Sequence, residues 1–174
     1  MKIFLIAGKS GSGKDEVAKI IKEYFNTLGK TSVITGYSKY LKNFVKEMYD
    51  WDGRSETKPR EKLQMLGDKI REIDEEFFIS NMLNDLRIYE HLVDNVIISD
   101  VRMPDEIDTL KFSYDEVYAI YVENQFSQSK LSIAEQMHIT ETALENYQDF
   151  DYILANDNLE EVKNKIYNYL GGIN

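Results

Sequence analysis

The sequence predicts an α/β domain in which helices flank a parallel sheet of five strands. Short runs rich in Ile, Val, Tyr and Phe alternate with stretches whose apolar residues recur at helical spacing. At least three of these runs are almost continuously apolar, as is typical of strands buried on both faces of a sheet. Helices that alternate with such strands cover both faces of a parallel sheet. The predicted strands are Lys2–Ala7, Ser32–Gly36, Asn95–Ser99, Val117–Val122 and Asp151–Leu154.

Six further segments have the periodicity of amphipathic helices. The first, Lys14–Leu28, is followed by Gly29, a residue that commonly ends a helix. The only two prolines of the chain, Pro59 and Pro104, lie where helices are expected to begin. The other predicted helices are Tyr40–Tyr49, Pro59–Ile73, Glu75–Leu92, Asp105–Phe112 and Leu159–Leu170.

The composition limits the classes of function. A chain of 174 residues fits one domain, spanning residues 1–174, and the absence of cysteine excludes disulfides, thiolate catalysis and cysteine metal sites. The net charge of −10 argues against long nucleic acid or an anionic membrane as partner, because both favour basic surfaces. No apolar run approaches the ~20 residues of a membrane span, and the first strand does not resemble a signal peptide. We therefore expect a cytoplasmic protein with a small-molecule partner.

A glycine-rich loop joins the first strand to the first helix. It has the complete pattern G-x-x-x-x-G-K in the strand–loop–helix context that phosphate-binding loops require. Its backbone N–H groups and the positive end of the helix dipole are suited to phosphate oxygens, and Lys14 is expected to reach the β- and γ-phosphates and to act in catalysis. The residues expected to bind ATP are Gly8, Lys9, Ser10, Gly11, Ser12, Gly13, Lys14 and Asp15.

The residue after the loop lysine departs from the usual pattern. Asp15 occupies the position where a Ser or Thr hydroxyl commonly holds Mg²⁺. A carboxylate is a good Mg²⁺ ligand, directly or through water, so we expect Asp15 to contribute to a metal site. The alternative is that Asp15 only caps the first turn of the helix.

The third predicted strand is followed by an acid and, two residues later, by an arginine. An acid at the carboxyl end of a central strand faces the ligand crevice of a doubly wound sheet. Asp100 is therefore expected to order Mg²⁺ through water or to accept a proton from the acceptor, and Arg102 to hold an acceptor phosphate or neutralise the transferring group. The alternative is a structural ion pair between the two. Val101 stands where hydrolytic ATPases often carry a second acid, and no N-K-x-D guanine signature occurs, which favours transfer to an acceptor.

The predicted helix Pro59–Ile73 has two distinct faces on a helical wheel. One face carries Arg60, Gln64, Gly67 and Arg71, and it suits a phosphorylated acceptor. The two arginines lie about 16 Å apart along the axis, so they cannot both bind one phosphate unless the helix bends or their side chains converge. A solvated charged face is the alternative. The neighbouring stripe, expected to be buried, consists of Leu63, Leu66, Ile70 and Ile73.

Several stretches, in their order along the chain, resemble the deoxynucleoside monophosphate kinase family of phages and bacteria. The loop with aspartate after its lysine is one, and the run R-x-x-L-Q-x-x-G-x-x-x-R over 60–71 is another. Asp100–Glu106 is similar to D-V-R-F-P-N-E, and His138–Glu141 is similar to H-x-S-E. Tyr37–Lys42, which leads to Asp50–Gly53, also matches, so the likeness covers most of the chain.

The resemblance implies a P-loop nucleoside monophosphate kinase fold with strand order 2-3-1-4-5. It implies an acceptor-binding helical region at about 37–92 and a lid at about 123–138. The implied reaction uses ATP and Mg²⁺ to convert a (deoxy)nucleoside monophosphate to the diphosphate. A homodimer is the common assembly for such a domain. The residues implied to bind the acceptor are Ser38, Lys42, Arg60, Gln64, Arg71 and Arg102.

Two alternatives stay open at this point. Animal-type phosphomevalonate kinases share the Gly-Lys-Asp loop and an ending similar to Asp149–Tyr152, so another phosphorylated acceptor, such as phosphomevalonate or dephospho-coenzyme A, is the runner-up. The family usually carries an arginine after the fourth strand or in the lid, whereas Lys130 is the only cation between Glu123 and His138 here. That absence favours a different class of protein, a nucleotide sensor without transferase activity.

Overall fold

In the computed structural model, residues 1–54, 56–124, 131–156 and 158–173 are described. Within these residues, parallel strands form one five-stranded sheet of order β2-β3-β1-β4-β5. The predicted sheet and its strand order are therefore confirmed. The strands are β1 (Lys2–Ala7), β2 (Ser32–Thr35), β3 (Asn95–Val101), β4 (Val117–Glu123) and β5 (Tyr152–Ala155).

The helices differ from the prediction by a few residues at most of their ends. Two single-turn helices, α6 and α7, were not expected, because one turn is too short to have a recognisable period. The predicted lid segment includes 125–130, which lie outside the described residues. The helices of the described chain are α1 (Lys14–Thr27), α2 (Lys39–Tyr49), α3 (Arg60–Ile73), α4 (Phe77–Tyr89), α5 (Pro104–Ser113), α6 (Ile133–Gln136), α7 (Ile139–Thr142) and α8 (Leu159–Gly172).

The central strand β1 is buried on both faces. Ile3 and Leu5 belong to a core shared with α2, α3, α4 and α5, whereas Phe4 and Ile6 belong to a second core shared with α1 and α8. Alternate residues of a strand point to opposite faces, so a strand between two helical layers must be apolar at every position. This explains the continuous apolar run in the sequence.

One residue of the predicted buried stripe on α3 is exposed. Leu63 is buried, and Leu66 and Ile70 pack partly against the core, but Ile73 is 87% exposed. Ile73 is the last residue of α3, and the chain leaves the helix at Asp74 in an extended conformation. The prediction that Ile73 is buried is therefore wrong, because the helix reaches beyond the surface it packs on.

The parallel sheet brings the chemically distinctive segments to one edge. The carboxyl ends of β1, β3 and β4 lie side by side, next to the glycine-rich loop, Arg102 and the lid region. β3 runs two residues further than predicted, so Asp100 lies in its last residues. In sheets of this kind, ligands bind at the carboxyl ends of the strands. No helix in the described part of the chain is long and apolar enough to cross a membrane.

Candidate active site

The glycine-rich loop is held tightly between the ends of β4 and β5. Gly8 and Gly13 have φ angles of 145° and 97°. A Cβ on Gly8 would lie 2.5 Å from the Val122 carbonyl oxygen, and one on Gly13 would lie 2.3 Å from the Asn156 side chain. The Asn156 amide donates to the Ser12 carbonyl at 2.7 Å. Only glycine fits both positions, which keeps the inner surface of the loop open for phosphate oxygens.

Lys14 is folded back onto the loop. Its side chain is buried, and its ammonium donates to the carbonyls of Gly8 at 2.6 Å and Lys9 at 2.8 Å. Burial and the nearby Arg102 guanidinium lower the pKa of Lys14 to about 7. The Ser12 hydroxyl is also buried, and within the described residues it has no hydrogen-bond partner. Both groups can therefore interact with phosphate oxygens in place of their present surroundings.

Two carboxylates from the segment after the lid contact the same loop. Glu141 accepts a hydrogen bond from the Ser10 backbone N–H at 3.0 Å and forms an ion pair with Arg102. Glu145 pairs with the Lys9 ammonium at 2.6 Å. We call residues 141–145 the Glu141–Glu145 segment. Its carboxylates are bound to donors that a phosphate-binding loop offers to a nucleotide.

Asp100 is turned towards the start of α2. Its carboxylate accepts hydrogen bonds from the Tyr37 N–H at 2.7 Å, from the backbone and hydroxyl of Ser38, and from Lys42 Nζ at 2.9 Å. Burial acts to raise the pKa of Asp100, but Lys42 and these hydrogen bonds hold it at about 2. Gly36 allows the Asp100 carboxylate to approach this closely, since a Cβ at position 36 would lie 2.5 Å from Asp100 Oδ1.

Asp100 and Arg102 therefore do not form the structural ion pair that was the alternative interpretation. Asp100 pairs with Lys42, and Arg102 pairs with Glu141 and also donates to the Thr140 carbonyl at 3.3 Å. Asp100 near the end of β3 and Arg102 just after it thus contact different elements, the start of α2 and the region of α7.

A buried carboxyl fixes the backbone directly after β3. Glu106 accepts hydrogen bonds from the N–H groups of Arg102 at 2.7 Å and Met103 at 3.1 Å. Burial raises the pKa of Glu106 to about 8. Glu106 belongs to the motif recognised in the sequence, but its role in holding Arg102 was not predicted.

Asp15 lies in the first turn of α1 and is exposed. Its carboxylate accepts a hydrogen bond from the Ser99 hydroxyl at 3.2 Å, whereas the helix is capped at Gly13 with no side-chain capping bond. No group of three or more acidic or histidine side chains in the described chain could by itself hold a metal ion. Mg²⁺ in kinases commonly takes one or two carboxylates together with waters and substrate phosphates, and the exposed Asp15 carboxylate fits that pattern.

A second pocket lies beside the loop, between α2, α3 and the end of β3. It has an apolar wall that includes Leu41, Leu63 and Phe78, and Gly67 of α3 lies against it. Arg71 lies over the Phe78 ring, with its guanidinium carbon 4.8 Å from the ring centre. The basic side chains that line the pocket are Lys42, Lys58, Arg60, Arg71 and Arg102. We call this cavity the acceptor pocket.

The acceptor pocket contains the α3 face that was predicted from the helical wheel. Arg60, Gln64 and Arg71 all line it, and the amide of Gln64 approaches the Glu135 carbonyl at 3.5 Å. Ser38 and Lys42 line it from α2 and the turn before it. The structure thus brings these residues together, while their binding roles stay predictions.

Sequence reasoning missed Lys58. It precedes Pro59 at the start of α3 and lines the acceptor pocket. Burial and the charges of Lys42 and Arg60 lower the pKa of Lys58 to about 8. The signal in the sequence was a second cation, two residues before Arg60, at a helix start.

His138 links the lid region to the acceptor helix. Its Nε2 lies 2.9 Å from Asp68 of α3, and its Nδ1 accepts a hydrogen bond from the Thr140 N–H at 3.3 Å. Both ring nitrogens therefore have partners, which is consistent with a structural histidine. The Glu141–Glu145 segment is in this way connected to the acceptor pocket.

The fold and the complete phosphate-binding loop define a P-loop kinase. The model of the deoxynucleotide monophosphate kinase family matches residues 55–166, more than half of the chain. The chain therefore belongs to this family, and it is a kinase that transfers a phosphoryl group to a small-molecule acceptor. No curated protein matches the sequence at a significant level.

Solved structures of other kinases share the fold at low sequence identity. The Mycobacterium tuberculosis APS kinase in complex with AMPPNP and APS is 12% identical, over 98% of this chain and 97% of that chain, with a TM-score of 0.52. The Aquifex aeolicus shikimate kinase is 14% identical, over 99% and 97% of the two chains, with a TM-score of 0.51. A sugar kinase from Janibacter sp. is 14% identical, over 98% and 95%, with a TM-score of 0.53. At this identity the likeness supports the fold alone.

Proposed function

We propose that the enzyme transfers the γ-phosphoryl group of ATP to a (deoxy)nucleoside monophosphate and releases ADP and the diphosphate. The observation that carries this proposal is the acceptor pocket, which lies directly beside the phosphate-binding loop. Its cations suit a phosphate, and its wall of Leu41, Leu63 and Phe78 suits a flat base. Family membership supports the same acceptor class.

The loop residues are proposed to hold the triphosphate. Backbone N–H groups of the loop surround the phosphates, and Lys14 leaves the carbonyls of Gly8 and Lys9 to bind the β- and γ-phosphates. Its pKa of about 7 without ligand rises when phosphate charges surround it, because an anion stabilises the ammonium. The loop lysine is thus charged when the nucleotide is bound.

Asp15 is proposed to hold Mg²⁺, with Ser99 orienting its carboxylate. Bound Mg²⁺ neutralises charge on the β- and γ-phosphates. Asp15 is well placed for this, since it directly follows Lys14 and is exposed on the loop side of α1. Asp100 is proposed to act from the opposite wall, through water, with its low pKa keeping it ionised.

On the acceptor side, side chains of the enzyme are proposed to position the acceptor phosphate and to stabilise the negative charge of the transferring phosphoryl group. An oxygen of the acceptor phosphate attacks the γ-phosphorus, a new P–O bond forms, and the bond to the β-phosphate oxygen breaks so that ADP leaves. Arg102 is proposed to stabilise the transferring group once phosphate replaces Glu141 as its anionic partner. Ser38 and Lys42 orient Asp100 and the phosphate end of the acceptor.

An acceptor panel tests the proposal. ADP release should depend on at least one common (deoxy)nucleoside monophosphate and should be absent with phosphomevalonate and dephospho-coenzyme A. ADP release with only one of the latter two would replace the nucleotide as acceptor and leave the kinase assignment intact. The cytoplasmic location and the homodimer expected from the sequence are also proposals, and sedimentation of the purified protein measures the second.

A further inference from the structure

The five basic side chains of the acceptor pocket differ in their surroundings. Three of them have a carboxylate of the protein within ion-pair distance: the pairs are Lys42–Asp100 at 2.9 Å, Arg71–Asp68 at 3.8 Å, and Arg102–Glu141. Lys58 and Arg60 have no ion pair with any described residue. Both cations therefore line the pocket without a directly paired carboxylate, and the opposite charges that act on them, Asp100 on Lys58 and Glu135 on Arg60, are not in ion-pair contact.

The backbone holds this pair in place. Arg60 is the first residue of α3, and its N–H donates to the Lys58 carbonyl at 2.9 Å. Pro59 lies between them with φ at −79°, which its ring restricts. The two side chains therefore extend from a short backbone turn that is already ordered, so little backbone freedom would be lost when an anion binds between them.

The charge of Lys58 is unfavourable without a ligand. Burial together with the cations Lys42 and Arg60 lowers its pKa to about 8. Placing a like charge close by in a partly buried site costs free energy, and a phosphate dianion between the two cations would offset that cost. The same argument does not apply to Arg71, which already has Asp68 and the Phe78 ring as neighbours.

We propose that Lys58 and Arg60 together bind the phosphate of the acceptor, whereas Arg71 supports the wall against which its base packs. This inference rests on the proposed function and assigns the two ends of the acceptor within it. It also removes the difficulty that Arg60 and Arg71 lie about 16 Å apart along one helix. The cations at the start of α3 can bind one phosphate, together with Ser38 and Lys42, without Arg71.

Binding of nucleoside monophosphates and of the parent nucleosides tests this assignment. Calorimetry on the full chain would compare the four common deoxynucleoside monophosphates with the same four nucleosides. The wild-type enzyme should prefer at least one monophosphate to its nucleoside. Lys58→Ala or Arg60→Leu should reduce that preference by roughly ten- to a hundredfold, as expected when one charge-assisted phosphate contact is lost, and leave nucleoside affinity unchanged.

Three further variants act as controls. Lys69→Ala should change nothing, because Lys69 lies on the same helix but is exposed and paired with Glu72. Lys58→Arg should keep most of the preference, which separates charge from folding. Arg71→Leu should weaken the binding of monophosphate and nucleoside alike, since it affects the base end.

Two results would contradict the assignment in different ways. If Lys58→Ala keeps the wild-type preference and its ATP affinity and circular dichroism are normal, Lys58 does not bind the phosphate, and the acceptor class is unaffected. If the wild-type enzyme binds no monophosphate more tightly than its nucleoside, the proposed acceptor and the phosphate assignment are both wrong. Should Lys58→Ala not fold, Lys58→Met, which keeps the aliphatic stem, gives the same comparison.

Discussion

The phosphate-binding loop and the acceptor pocket lie side by side, but their charges are balanced differently. At the loop, protein oxygen atoms already occupy the donors: carbonyls bind Lys14, Glu145 binds Lys9, and Glu141 binds Ser10. In the acceptor pocket, Lys58 and Arg60 have no such partner among the described residues. Oxygen atoms of the protein thus occupy donors of the loop, whereas Lys58 and Arg60 of the acceptor pocket can each still pair with an anion.

This difference indicates that ATP has to displace protein groups from its site, whereas the acceptor does not. A triphosphate carries several negative charges, so it cannot bind the loop while Glu141 and Glu145 remain there without strong repulsion. ATP binding should therefore displace the Glu141–Glu145 segment, whereas acceptor binding should need little rearrangement at Lys58 and Arg60. The His138–Asp68 contact connects the two, because it joins the displaced segment to α3.

The largest expected effect is at the loop lysine. Lys14→Ala should abolish measurable transfer and weaken ATP binding, because Lys14 is the buried cation of the loop and is proposed to bind the β- and γ-phosphates. Steady-state kinetics with ATP and the best acceptor measure this. Lys19→Ala, an exposed change on the same helix, is the matched control. Near-normal turnover in Lys14→Ala would remove the basis for the loop as the ATP site.

Asp100→Asn should lower kcat by about a hundredfold, with ATP affinity changed only modestly, because its charge acts mainly in the transition state.

The same change should alter the stability of the protein at acid pH. Asp100 has a pKa of about 2 in the folded protein against an ordinary value of 3.8, so its contribution is present above pH 3.8 and is lost as the pH falls through about 2. Denaturation from pH 5 to 2 should show a weaker acid dependence in Asp100→Asn. An unchanged kcat would restrict Asp100 to a structural role.

Asp15→Ala should raise the Mg²⁺ concentration for half-maximal rate by about tenfold, because one carboxylate ligand is lost. Asp15→Ser should keep part of the activity, since a hydroxyl is the usual ligand at this position. Magnesium titrations of both variants, with Mg²⁺-dependent nucleotide binding as a second readout, decide between the two roles. If Asp15 only stabilises the first turn of α1 through the helix dipole, the free energy of unfolding should fall by about 0.3 to 1 kcal/mol and the metal dependence should not change.

The smallest expected effect is on the ATP affinity of a Glu141 variant, and it tests whether the protein's own carboxylate competes with ATP at the loop. Glu141→Gln should tighten ATP binding by a few-fold, because the group that ATP displaces no longer carries a competing charge. Acceptor affinity should change less. Equilibrium binding of ATP to the wild type and to Glu141→Gln measures this. Weaker ATP binding in the variant would show that Glu141 orients Arg102 for the nucleotide instead of competing with it.

Local patterns made part of the architecture predictable. The first strand, the glycine-rich loop and the first helix follow one another in the chain, so the sequence pattern alone located them. The face of α3 was also predictable, because residues three and four apart share one side of a helix. The strand order came from the resemblance to a family, since periodicity does not determine which strands are neighbours.

Apart from the local contact of Glu106 with the Arg102 and Met103 N–H groups, the contacts that were missed depend on long-range packing. Glu141 reaches Ser10 across 131 residues of sequence, and Asp100 reaches Ser38 across 62. No local pattern contains such pairings. Ile73 was misplaced for a related reason, because a helical period indicates which residues share a face but not where the neighbouring surface ends.

Transfer of a labelled phosphoryl group from ATP to a monophosphate is the reaction proposed for this enzyme and can be followed directly. The enzyme would be incubated with Mg²⁺, ATP labelled in the γ-phosphate and one deoxynucleoside monophosphate at a time, and the products separated by chromatography. We expect that, for at least one monophosphate, the label appears in the β-phosphate of the deoxynucleoside diphosphate in amounts equal to the ADP formed. Label found only in ATP, or only in free phosphate, with every monophosphate would contradict it.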